Sequence, residues 1–204
     1  MPGLLETIRY DVRCKAQWCY ESTAARSMVK ALLTDGTSAM LIYRLMQWSG
    51  RHGLWPLEMF FNKLNAVLNQ CIIGRGADFG PGFVLIHATG VIINGDVRGG
   101  SRIYVEHQVT IGADHRRSPV LGSDVFIGAG ARVIGNVKVG QGASVGANAV
   151  VVEDVPDYCT VAGVPAKVVR RRTPAPVENQ RPVVAPLTPS LVPKSSTFNQ
   201  ADHP

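Results

Sequence analysis

The stretch that decides the fold runs from residue 121 to residue 151 and reads LGSDVFIGAGARVIGNVKVGQGASVGANAVV. An aliphatic residue recurs in it at every sixth position, and the same spacing extends back to Ile73 with one polar exception, His115. The series is Ile73, Phe79, Leu85, Val91, Val97, Ile103, Val109, His115, Leu121, Ile127, Val133, Val139, Val145 and Val151. Neither an α-helix nor an ordinary strand has a period of six. The period is typical of a parallel β-helix built from hexapeptides, each forming one short strand and one turn.

A second column of side chains favours the same fold. Four residues after each member of the first series, the chain prefers a small or β-branched residue. The departures are Phe83, Gly95, His107 and Pro119. With three hexapeptides in each triangular coil, the repeats predict between four and five coils in one unbroken register.

The chain divides into three parts of different pattern. Residues 1–70 have helical spacing and are expected to cap one open end of the β-helix, with Asp35-Gly36 as a turn between helices. Residues 71–172 are expected to form the β-helix domain, so the chain is mostly β. Residues 173–204 are rich in Pro, Ser, Gln and Asn without periodicity, which predicts a disordered tail.

One polar segment interrupts the repeats. Residues 113–120 read ADHRRSPV and are interpreted as a loop that projects from the prism. The alternative places His115 in the core column.

Composition limits the classes of partner and compartment. The net charge is +6. The four cysteines form no Cys-x-x-Cys pair or zinc spacing, so we expect free thiols, a reducing compartment and no metal. The basic block 170–172 suits an anionic partner, but no interleaved aromatic pattern indicates nucleic acid. The first twenty residues lack the apolar core of a signal peptide, and no segment is apolar enough to span a bilayer. These features predict a cytoplasmic protein.

Residues from about 20 to 170 resemble the serine acetyltransferases. The matching segments are His87-Ala88-Thr89-Gly90, Val109-Thr110-Ile111-Gly112, Ile127-Gly128-Ala129-Gly130-Ala131 and Ala162-Gly163-Val164-Pro165-Ala166-Lys167. The resemblance implies a left-handed β-helix, a homotrimer, and acetyl transfer from acetyl-CoA to a hydroxyl with His87 as general base. An alcohol needs such a base, and an unperturbed imidazole titrates near neutral pH.

The chain departs from that family around the acceptor site. The family has an Asp directly before the catalytic histidine and another fifteen residues before it, where this chain has Ile86 and Ile72. After the polar loop the family's Arg-His-Pro becomes Arg117-Ser118-Pro119, and a family Asp in the helical region is replaced by Glu21. The resemblance implies that Glu21, Arg117 and Ser118 contact the acceptor.

A second resemblance leads to a different acceptor. The segments 91–94 and 106–112 resemble the colanic-acid-type polysaccharide O-acetyltransferases, which carry a histidine before Val-Thr-Ile-Gly, as His107 stands here. His107 follows His87 by one coil of eighteen residues plus two residues, so we expect the two side chains to lie within about a nanometre of each other. His107 is then a second catalytic residue, either orienting His87 or contacting the acceptor; its alternative is a packed corner histidine. The expected acceptor is a sugar or polysaccharide precursor, with serine O-acetylation in cysteine biosynthesis and a non-catalytic scaffold as alternatives.

The resemblance also assigns the coenzyme and partner surfaces. Positions matching those that line the pantetheine groove in the family are Gly112, Ala129 and Ala147, while Lys167 and the basic block are expected to meet the phosphates. Serine acetyltransferases end in an isoleucine that enters a cysteine synthase. This sequence ends Ala201-Asp202-His203-Pro204, so we expect no docking of that partner.

Overall fold

The computed structural model describes residues 3–173 and consists of a helical region followed by a left-handed parallel β-helix. Residues 174–204 lie outside the described residues. The predictions of a disordered tail and of no cysteine synthase docking concern that segment. The helices are α1 Leu4–Tyr20, α2 Ala25–Leu32, α3 Thr37–Arg51 and α4 Trp55–Asn69. The strands are β1 Ile72–Ile73, β2 Asp78–Phe79, β3 Phe83–Leu85, β4 Ile92–Ile93, β5 Arg98–Gly99, β6 Ile103–Val105, β7 Thr110–Gly112, β8 Val120–Leu121, β9 Phe126–Ile127, β10 Arg132–Ile134, β11 Lys138–Val139, β12 Ser144–Val145, β13 Val150–Val151, β14 Cys159–Ala162 and β15 Lys167–Arg171.

The strands form the three faces of a prism. The first face has the order β1-β4-β7-β10-β13, the second β2-β5-β8-β11, and the third β3-β6-β9-β12-β14-β15. Every pair is parallel except β14 with β15, which is antiparallel. Each coil therefore visits the three faces in turn, as the hexapeptide period predicts.

The coils differ in length, and the predicted unbroken register is wrong between residues 85 and 121. Partners on successive coils are Ile73 with Ile93, and Ile93 with Ile111, so Ile93 continues the core column where the period of six placed Val91. Two residues are inserted after Leu85 and four after Ile111, which together make six. The phase is therefore restored at Leu121.

The misassigned aliphatic residues are still buried, because they belong to the second inward column. These are Val91, Val97, Ile103 and Val109. The core position on β5 is Gly99, where a Cβ atom would collide with the ring of Phe79 on the coil below. The ring of Phe79 also stacks on Phe83 at 4.4 Å, so one large side chain fills the space of two.

Polar side chains of the helices satisfy the backbone at the open end of the first coil. Arg44 donates to the carbonyls of Phe79 and Gly80 while forming a buried ion pair with Asp11 at 2.6 Å. Tyr43 donates to the Ala77 carbonyl at 3.1 Å. A strand edge left without partners costs free energy, so these contacts explain why the helical region covers this end.

Helix α1 also packs along the outside of the third face. The ring of Trp18 stacks on Tyr104 at 4.6 Å and on Phe126 at 5.3 Å between ring centroids. The four cysteines form no disulfide, and residues 3–173 contain no cluster of three potential metal ligands. None of the helices just described combines the length and apolarity that a bilayer crossing requires.

Candidate active site

His87 and His107 lie one above the other at one corner of the prism. This histidine corner, between the third and first faces, comprises residues 86–91, 106–109, 128–131 and 146–149. Leu85 pairs with Val105, and each histidine stands two residues after its core aliphatic. The ring centroids are 5.9 Å apart and the rings meet at 72°. The first coil has 20 residues at this point, which places His107 directly over His87.

Both histidines are accessible from outside the prism. The His87 and His107 side chains are 49% and 45% exposed, so neither is packed into the core. Within one chain, this exposure disfavours the interpretation of His107 as a packed corner histidine. His107 Nδ1 lies 3.4 Å from Glu106 Oε2.

A carboxylate that the sequence did not single out contacts His87. Asp35 lies in the turn between α2 and α3, and its Oδ2 is 3.3 Å from His87 Nδ1. The two positions where the family carries carboxylates are isoleucines in this chain. Ile86 is buried, and Ile72 points outward on the first face. Sequence patterns identified the turn at Asp35-Gly36 but not its contact with a residue 52 positions later.

Lys15 fixes this turn against the strand that leads to His87. Its side chain is fully buried, and Nζ donates to the carbonyls of Asp35 and Leu85, the latter at 2.8 Å. Burial lowers the pKa of Lys15 to about 8. Gly36 has a φ of 78° and approaches the Leu85 carbonyl too closely for any Cβ atom. The turn and the strand end therefore form one unit.

The residues expected to contact the acceptor are spread over the chain. Glu21 is exposed at the C-cap of α1, with a φ of 50°. Arg117 and Ser118 follow β7 at a different corner, the loop corner formed by residues 112–119 between the first and second faces. Ser118 Oγ is 2.9 Å from Asn94 Oδ1. Within one chain, a whole face of the prism separates this corner from the two histidines.

The polar interruption is a loop, as predicted, and the alternative with His115 in the core is wrong. The backbones of Asp114 and Arg117 exchange two hydrogen bonds of 2.9 and 3.0 Å. His115 and Arg116 between them have φ values of 46° and 66°, as in the two-residue turn of a tight hairpin. The His115 side chain is 90% exposed.

The expected coenzyme-binding residues also fall on two corners. Ala129 and Ala147 continue the His87–His107 column on the next two coils, where only methyl groups project. Gly112 begins the loop corner. Lys167 is exposed and pairs with Glu153 at 3.1 Å, an exposed contact that an anionic ligand can displace.

The basic block is partly committed to the fold. Arg172 donates to the Gly142 carbonyl and to Ser144 Oγ, and burial lowers its pKa. Arg170 and Arg171 are exposed on β15. Those two side chains are therefore the ones available to an anion.

Comparisons with known proteins agree on one family. The family described as "Bacterial transferase hexapeptide (six repeats)" matches residues 118–152. The serine acetyltransferase of Mycobacterium tuberculosis is 32% identical over 177 residues, covering 85% of this chain and 76% of that protein. This chain spans 63–76% of the length of three curated serine acetyltransferases, including that one.

Solved structures agree with the sequence relatives. The serine acetyltransferase of Neisseria gonorrhoeae superposes with a TM-score of 0.75 at 30% identity, covering 87% of this chain and 72% of that one. The Brucella abortus serine acetyltransferase in complex with coenzyme A gives 0.73 at 30% identity, covering 82% and 68%. These comparisons support the first resemblance and not the one to polysaccharide O-acetyltransferases.

Proposed function

Because the chain belongs to the serine acetyltransferase family, we propose that it transfers the acetyl group of acetyl-CoA to the hydroxyl of L-serine. The observation that carries the proposal is the exposed His87–His107 pair at the corner of the β-helix that the matched His-Ala-Thr-Gly segment forms. An exposed imidazole beside a column of small residues is suited to receiving a thioester and a small alcohol together.

The reaction needs a base because a neutral alcohol is a weak nucleophile. In our proposal His87 takes the hydroxyl proton as the oxygen attacks the acetyl carbonyl, and later gives that proton to the departing thiolate. Acetyl-CoA supplies the activated acyl group. His107, 5.9 Å away between ring centroids, faces the same space and is placed to contact the acceptor.

The division of the expected residues over two corners supports a homotrimer. His87, Ala129 and Ala147 lie at the histidine corner, whereas Gly112 and Arg117 lie at the loop corner. Three prisms packed side by side can bring the histidine corner of one against the loop corner of the next. In this arrangement each site is shared between two chains, and the pantetheine arm of the coenzyme lies between them.

Serine is a better-supported acceptor than the sugar that His107 led us to expect. The relatives described above are serine acetyltransferases. The case against serine depended on the groups lost at Ile72, Ile86 and Ser118 and on the presence of His107, and Asp35 restores one carboxylate beside His87.

An acceptor panel tests this function. Thiol release from acetyl-CoA is measured with L-serine, L-homoserine, and a set of free sugars and glycans, each against a blank without acceptor. We expect L-serine to give the highest kcat/KM. Efficient acetylation of a sugar with none of L-serine would restore the sugar interpretation, and coenzyme binding without transfer to any acceptor would favour the scaffold.

A further inference from the structure

Building on the proposed function, we propose that Asp35 is the positioning residue for His87, supplied by the helical region in place of a carboxylate on the β-helix itself. The contact is direct, 3.3 Å from Asp35 Oδ2 to His87 Nδ1. A carboxylate at Nδ1 favours the tautomer with the proton on that nitrogen. The lone pair of Nε2 is then free to accept the proton of an alcohol.

The backbone around Asp35 holds the carboxylate in place. Lys15 joins the carbonyl of Asp35 to that of Leu85, two residues before His87. On the other side, Thr37 Oγ1 donates to the Ala31 carbonyl at 2.6 Å, which closes the turn onto α2. The carboxylate therefore belongs to a residue that Lys15 anchors, and the imidazole is two residues from the other carbonyl that Lys15 holds.

The surroundings argue for a functional rather than a stabilising pair. The Asp35 and His87 side chains are 73% and 49% exposed, and exposed ion pairs contribute little to stability. A fully buried lysine, by contrast, is a costly way to fix a surface turn. The cost of burying Lys15 is explained if the turn must hold the Asp35 carboxylate at a fixed distance from His87.

Other charged groups near His87 are less suitable. His107 faces it from the next coil, but its own Nδ1 lies 3.4 Å from Glu106. The Lys15 ammonium is occupied by backbone carbonyls. Among the described residues, Asp35 is the carboxylate whose hydrogen bond reaches His87.

Asp35→Ala tests the assignment, with Asp35→Glu as the conservative variant. Glu6→Ala, about two and a half turns before Lys15 on α1, is the matched control because it removes an exposed carboxylate from the same region. We expect Asp35→Ala to lower kcat about 10-fold with KM for acetyl-CoA unchanged, Asp35→Glu to recover part of the loss, and the control to retain full activity. Unchanged kcat in Asp35→Ala would overturn the proposal.

Nitrogen NMR of the His87 ring gives a readout that does not need turnover. With the ring in its neutral form, we expect the wild-type ring to carry its proton on Nδ1 and the Asp35→Ala ring to shift toward Nε2. An identical tautomer in both proteins would overturn the assignment. If the wild type released no thiol with L-serine, the proposed function would fail, while the NMR comparison would still decide the role of Asp35.

Discussion

At the scale of single residues, His107 tests whether the second histidine takes part in the reaction. Its ring is 45% exposed and lies against His87, so removing it leaves no core cavity. We expect His107→Ala to lower kcat/KM for L-serine about 10-fold or more while the melting temperature stays the same. His52→Ala, which removes an exposed histidine at the end of α3, is the matched control. Full activity in His107→Ala would limit catalysis to His87.

The buried amine of Lys15 should make the stability of the fold depend on pH. Its amine has a pKa of about 8 in the folded chain, because it is buried, against roughly 10.4 in the unfolded chain. Between these values the unfolded state binds more protons, so the free energy of unfolding rises with pH. Lys15 should therefore contribute a gain of about 1 kcal/mol to the free energy of urea unfolding from pH 7.5 to pH 9.

Lys15→Met isolates this effect. Burial raises the pKa values of the Cys14, Cys19 and Cys71 thiols, which opposes the gain as thiols of the unfolded chain ionise. The variant keeps every cysteine, so the difference between the two proteins reports Lys15. The wild type should gain about 1 kcal/mol relative to Lys15→Met over this range, and the same dependence of stability on pH in both proteins would contradict the assignment.

At the scale of elements, the coil lengths show what a repeat can and cannot predict. A period of six identified the β-helix because it is a local rule obeyed by each strand and turn. The predicted phase is wrong after Leu85 because two residues are inserted there. The sequence does not reveal this shift, because both inward columns carry aliphatic residues and the two insertions together add one whole hexapeptide. The Asp35–His87 contact was not predictable either, because it depends on how the turn between α2 and α3 seats on the end of β3.

Gly99 tests the corrected register. In that register it faces the core over Phe79, so Gly99→Ala forces a methyl group against the ring. We expect the free energy of unfolding to fall by about 1–3 kcal/mol, which is typical of overpacking. Gly3→Ala is the matched control, since nothing lies within 4 Å of the added atom. The uncorrected register places Val97 in that column instead, and a neutral Gly99→Ala would favour it.

At the scale of the whole molecule, mixed assemblies test whether the site is shared between chains. His87→Ala and Arg117→Ala alter the histidine corner and the loop corner, respectively. Each variant alone should have low activity. When the two are unfolded, mixed and refolded together, about a quarter of the sites in a randomly mixed trimer should carry both native residues. Activity should therefore return toward that fraction.

The contrary outcomes are distinct. A site contained in one chain gives no recovery on mixing, because every chain carries one defect. A monomer mass by light scattering at micromolar concentration would also contradict the trimer.

The central claim is that His87 is the base for acetyl transfer from acetyl-CoA to L-serine. The most direct measurement compares L-serine-dependent thiol release by the wild type and by His87→Ala, with acetyl-CoA binding measured on both by calorimetry. We predict serine-dependent release by the wild type, a fall of about 10²–10⁴ in the variant, and unchanged binding of the coenzyme. Wild-type turnover by His87→Ala, or no serine-dependent release by the wild type, would contradict the account.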